Sequence, residues 1–213
     1  MTSPSPVPEH ASEHVSPSRL NALSDGVIAI AATLLILEVD PPGTEGSVWG
    51  QLGREWPSLV AFLLSFLVIG VVWIHHHNLF HRVRRVDRTL LFLNLGMLAT
   101  VSFLPLPTAT LGTHFTGDDT KAATVFYAGS MMLTSLWFVL LWNHLVRRPE
   151  LLHVDAPIAE ARRARARSLT GPAAYGAATL IALVVPVASL VLIAGTIGYF
   201  VFGRRAPAAR TKR

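Results

Sequence analysis

The sequence predicts an all-α integral membrane fold with six transmembrane helices per subunit. Three observations carry this expectation. Of 213 residues, 51% are hydrophobic and only 15% charged, against about a quarter charged in soluble domains. Apolar stretches long enough to cross a bilayer recur along the chain. Laid out as six spans, they place sixteen of the eighteen Lys and Arg residues on one side, the segregation expected of cytoplasmic loops.

Residues 1–18 are Ser, Pro, Glu and His with little apolar content, which predicts a disordered tail. They lack the basic start and apolar core of a signal peptide, so the mature chain is expected to begin near Met1. The first span is expected over residues 22–39, about 27 Å at 1.5 Å per residue, with Pro41, Pro42 and Gly43 ending it. The second covers residues 56–77, carries no Asp, Glu, Lys or Arg, and has Pro57 in its first turn. In the third, residues 90–111, Pro105 and Pro107 are expected to free backbone carbonyls and kink or fray the final turns. The fourth covers residues 122–146, with Trp137 and Trp142 towards its end suiting an interfacial belt or helix packing.

The last apolar stretch, residues 169–202, has 34 residues. As one helix it reaches about 51 Å, far beyond a core of about 30 Å. Pro186 at its centre divides it into two short helices, a hairpin whose basic ends lie on one side. The six spans thus occupy residues 19–203, followed by a basic tail at 204–213. Only Arg54 and Lys121 fall opposite the other basic residues, so both termini are expected to face the cytoplasm of a multi-pass cell-membrane protein. The net charge of +5 is expected to meet an anionic leaflet rather than nucleic acid. Residues 160–168 read as a basic helix lying on that leaflet, or as a solvated linker.

The residues exclude several chemistries. There is no cysteine, hence no thiolate metal site, disulfide or cysteine nucleophile. A GxxxxGK[ST] phosphate loop is absent, which argues against an ATP-driven pump. In the run His75, His76, His77 with His81, only His77 and His81 share a helical face, too few for a metal site. The string Thr196, Ile197, Gly198, Tyr199 imitates a potassium filter loop, but Phe200 stands where the closing glycine belongs. No enzyme is expected.

More informative is the first span. A carboxylate near the bilayer costs about 2.5–3.5 kcal/mol at a helix centre, so Asp25 calls for a partner. Either Ser24 and Asp25 cap the helix, or they enter a polar network with His76, His77, Asn78 and Asn94 from the next two spans. Ile30, Leu34 and Leu37 fall along one stripe, with Ala22, Gly26, Ala29 and Thr33 as small positions on adjoining faces. Such a stripe fits core packing as well as pore lining.

Residues 19–38, RLNALSDGVIAIAATLLILE, resemble the first-helix signature of the transmembrane protein 175 potassium channels, in their bacterial branch. SFLVIGVVWIHHHNLF at 65–80 and NLGMLATVSFLPLPTATLG at 94–112 add to the likeness, which covers roughly the first 150 residues. The resemblance implies one six-helix repeat per subunit and a homotetramer with four first helices around the ion path. Ile30, Leu34 and Leu37 then form hydrophobic rings constricting the pore, and Thr33 contributes to potassium preference. Arg19, Ser24 and Asp25 join a network with Trp73, His76, His77, Asn78 and Asn94. One departure is Leu23, where the family usually has phenylalanine.

The expected function is therefore passive, potassium-selective conduction through an apolar constriction, with potassium as the permeant ion and no cofactor. A proton-coupled secondary transporter is the main rival, although it normally places carboxylates or histidines near the midplane. A non-conducting membrane scaffold is the other.

Overall fold

The computed structural model describes residues 16–44, 46–154 and 157–202, all helical apart from their connections. Most of the tail at 1–18 and the whole basic tail at 204–213 lie outside the described residues. The first helix, α1 (Pro17–Leu34), starts earlier than hydropathy suggests because Ser16 caps it: its Oγ accepts from the Arg19 amide at 3.4 Å, and Pro17 takes a first-turn position. Pro17 and Ser18 are thus helical rather than part of a tail. A 3₁₀ turn (Leu35–Glu38) tightens its end before Pro41.

A short helix absent from the sequence reading follows, α2 (Val48–Arg54). Gln51 ties it to the preceding strap, its Oε1 accepting from the Gly43 amide at 2.6 Å and its Nε2 donating to the Gly43 carbonyl at 3.3 Å. Next comes α3 (Trp56–Phe80). The third apolar stretch is broken at Leu104 into α4 (Arg88–Phe103) and α5 (Pro105–Thr113), so the prolines start a new helix instead of fraying the old one. Asp87 caps α4 by accepting from the Leu90 amide at 2.8 Å.

The long helix α6 (Thr120–Arg147) is followed by α7 (Ile158–Ser168), α8 (Thr170–Ala182) and α9 (Pro186–Phe202). The last apolar stretch is thus divided, with Pro186 opening its second helix. Among the described residues, four segments can cross a membrane by length and composition: Pro17–Glu38, Trp56–Phe80, Arg88–Thr113 and Thr120–Arg147, with Pro186–Phe202 as a shorter apolar helix. Rather than lying free, α7 packs along α6, burying Ala161, and Leu169 alone joins it to α8, which continues along α6.

Helix α1 packs against α3 and α4, α3 also against α5, and α6 gathers α4, α5, α7, α8 and α9. Lipid tails are as apolar as leucine, so such helices hold together by close packing and interhelical hydrogen bonds. Both are present. A side chain on Gly96 would overlap the Trp137 ring, so the missing Cβ is what lets α4 and α6 approach. Ser65 of α3, 0% exposed, sits 2.7 Å from the Thr108 hydroxyl of α5 and 2.9 Å from the Tyr127 hydroxyl of α6. Both tryptophans near the end of α6 pack within the subunit: Trp142 is buried under the Arg82 guanidinium, 5.9 Å from its ring centroid, and Trp137 covers Gly96.

Candidate functional site

Helix α1 and the 3₁₀ turn that extends it have two unlike faces. Leu20, Ser24, Ile28, Ala31 and Leu35 point into the subunit and are at most 3% exposed. Opposite them, Ile30, Leu34 and Leu37 are 60%, 42% and 73% exposed. Arg19, Ala22, Leu23, Gly26, Ala29 and Thr33 are exposed too, and with that trio they make one continuous stripe at helical spacing. The small positions therefore do not serve contacts within the subunit; around Gly26 there is open space. Thr33 donates its hydroxyl to the Ile30 carbonyl at 2.9 Å, leaving the oxygen's lone pairs on the open side.

The buried face carries a polar chain across three helices. Ser24 Oγ donates to the Leu20 carbonyl at 2.9 Å and accepts from Asn94 Nδ2 at 3.0 Å. Asn94 Oδ1 lies 3.0 Å from His76 Nε2. All three residues are at most 1% exposed, and His76 stacks on Phe80 with ring centroids 4.4 Å apart. A second strap runs beside the first: Trp73 Nε1 donates to Asp25 Oδ1 at 2.9 Å, with both residues exposed. The capping alternative for Ser24 and Asp25 does not hold, because the helix begins at Pro17 and Ser16 caps it.

The other residues singled out in the sequence take looser positions. His77 stacks between Trp73 and His81, at centroid distances of 5.8 and 6.1 Å. Asn78 and Arg19 are exposed, and neither side chain makes a hydrogen bond or ion pair among the described residues. His75 meets the edges of Phe138 and Phe200 at 5.9 and 5.0 Å. No group of three or more His, Cys, Asp or Glu side chains suited to a metal occurs among the described residues. The filter-like string 196–199 is helical within α9, which commits its backbone carbonyls to the helix rather than to an ion.

A collar at the arginine-rich end escaped the sequence reading. Asp87 accepts from His144 Nε2 at 2.9 Å while capping α4. Arg82 pairs with Glu160 of α7 at 3.4 Å and covers Trp142. The Arg84 amide donates to the Leu151 carbonyl at 2.7 Å and the His153 amide to the Arg82 carbonyl at 3.0 Å, pairing the α3–α4 loop with the segment after α6. The acidic residue before the third span was a readable capping signal; its partner 57 positions away was not.

Comparison with known proteins agrees with this architecture. Residues 19–105 match the family model described as Endosomal/lysosomal potassium channel TMEM175. A potassium channel of Streptomyces collinus is 46% identical over 152 residues, covering 69% of this chain and 74% of that protein. Another, from Chamaesiphon minutus, is 36% identical over 78% of this chain and 83% of its own. The crystal structure of a lysosomal potassium-selective channel TMEM175 homolog from Chamaesiphon minutus superposes with a TM-score of 0.80 at 30% identity, covering 89% of this chain and 98% of that one. The chain is thus a multi-pass membrane protein, and it belongs to the TMEM175 family.

Proposed function

We propose that this chain is one subunit of a potassium-selective cation channel, a homotetramer in which four copies of α1 surround the ion path. The reading rests on one observation above all: Ile30, Leu34 and Leu37 form an apolar stripe that no described helix of their own subunit covers. Repeated four times about an axis, the stripe narrows the path with apolar rings, which pass ions only when wetted and so charge each ion for shedding water. Thr33, with lone pairs on the same side, supports potassium preference. The Ser24, Asn94 and His76 chain with the Trp73 and Asp25 strap fixes the rotation of α1 against α3 and α4, so that the stripe stays turned outward. Arg19, Asn78 and His77, exposed at the same end, complete this network across the subunit boundary.

In the assembled channel α8 and α9 are the fifth and sixth spans. The arginine-rich collar and both termini then face the cytoplasm, against an anionic leaflet. Potassium is cargo rather than cofactor.

Purified protein in potassium-loaded liposomes is expected to carry potassium down its gradient with no pH difference imposed. Flux that strictly requires a pH difference favours the proton-coupled transporter. An absence of flux favours the scaffold.

A further inference from the structure

The chain passes from α7 to α8 through Leu169 alone, whose φ and ψ of −71° and −19° are helical. One helical face therefore continues across the join, and positions 163, 167, 170 and 174 lie along it. The first two are Arg163 and Arg167, both exposed. The other two, Thr170 and Ala174, open a cleft of about 290 Å³ between α8 and α9, whose far wall includes Leu192, Gly195 and Phe200. The cleft is apolar because its hydroxyls are turned back onto the backbone: Thr170 Oγ1 donates to the Arg167 carbonyl and Thr196 Oγ1 to the Leu192 carbonyl, each at 2.7 Å.

Neither arginine has a carboxylate within ion-pair distance among the described residues, and the nearby Glu160 is taken by Arg82 at 3.4 Å. Two guanidinium groups without a carboxylate partner among the described residues thus lie on the helical face that leads from the basic segment into the apolar slot, Arg167 Nε donating to the Arg163 carbonyl at 3.3 Å and its two terminal nitrogens remaining for a ligand. The slot lies away from α1, since α8 and α9 pack on α6 and α3 while α1 packs on α3 and α4. On the reading that α1 lines the ion path, which this inference adopts, the slot opens to lipid.

We propose that Arg163, Arg167 and the α8–α9 cleft form a binding site for an anionic phospholipid. The guanidinium groups hold the headgroup phosphate, for which their forked donors are suited, and one acyl chain enters the cleft. A zwitterionic lipid offers the same chain but brings a cation towards two arginines, so the site discriminates by headgroup charge.

The test titrates the detergent-purified protein with tail-labelled phosphatidylglycerol and with phosphatidylcholine bearing the same chains, read by fluorescence anisotropy, with inorganic phosphate as a soluble competitor. The parent is expected to prefer phosphatidylglycerol. The double variant Arg163→Gln, Arg167→Gln is expected to weaken phosphatidylglycerol binding about 25-fold, about fivefold for each basic residue at an anionic surface, and to leave phosphatidylcholine unchanged. Gly195→Leu meets no atom within 4 Å of its new Cβ, fills the slot, and is expected to weaken both lipids about tenfold, the equivalent of roughly two buried methylenes. Unchanged phosphatidylglycerol binding in either variant overturns the site, as does displacement of the lipid by inorganic phosphate. Potassium flux of the parent, measured in parallel, keeps the two readings apart: lost flux with headgroup selectivity intact counts against the channel alone, and intact flux without headgroup selectivity counts against this site alone.

Discussion

Replacing Leu34 with asparagine is expected to raise potassium flux about tenfold, equivalent to lowering the conduction barrier by about 1.4 kcal/mol. Leu34 is 42% exposed on the uncovered face of α1, so its removal takes little from the packing of its own subunit. Four copies of the amide instead put polar groups where the path is narrowest, which holds water in the constriction and relaxes the demand that an ion shed its own. For the same reason potassium over sodium preference is expected to fall. The comparison that gives the result meaning is Leu180→Asn, at 68% exposure an even less covered apolar residue, on α8, which packs against α6 and α9 while α1 packs against α3 and α4. That variant is expected to leave both flux and preference where they were. Unchanged conduction and preference in Leu34→Asn removes Leu34 from the ion path.

The second large effect concerns the buried polar chain. Asn94→Leu keeps the volume roughly but takes away both bonds, orphaning His76 Nε2 and the acceptor side of Ser24 Oγ at positions that are at most 1% exposed. Interhelical hydrogen bonds in membranes average about 0.6 kcal/mol, with about 1.7 as the upper end. A loss of roughly 1–2 kcal/mol is expected here, because the orphaned groups are sealed from water and from other partners. Since these bonds set the rotation of α1, the loss is expected to appear as a lower thermal midpoint in detergent, a smaller share of tetramer on gel filtration, and reduced flux. A variant indistinguishable from the parent in all three contradicts the bracing role.

Much of the fold was legible because hydropathy and proline speak directly in a membrane. The break at Pro186, a disturbance of the third apolar stretch at its prolines and a basic segment at 160–168 all follow from local sequence, although the new helix that starts at Pro105 and the packing of the basic helix on α6 do not. What hydropathy misses is structure that begins outside the apolar run: the cap at Ser16, or α2, held by Gln51 reaching back to Gly43. The polar residues of α1, α3 and α4 could be named in advance because they cluster at one end of their spans. Their pairing was another matter, since nothing local tells that Asn94 bridges Ser24 and His76 while Asn78 meets neither. Long-range pairs such as Ser65 with Tyr127, or Asp87 with His144, left no trace in periodicity. The neighbours of Trp137 and Trp142 were hidden for a related reason: an indole near a span end suits the interface and suits a glycine across the helix pair, and periodicity does not name the partner.

The chain contains no cysteine, which makes a direct test of the α1 stripe clean. Single cysteines at Leu34 and, for comparison, Leu180 are each exposed to a charged, water-soluble thiol reagent while potassium flux is followed in liposomes. Modification at position 34 is expected to block flux, and modification at position 180 is expected to leave it unchanged. Flux that persists undiminished after position 34 has reacted to completion contradicts the placement of α1 around the ion path.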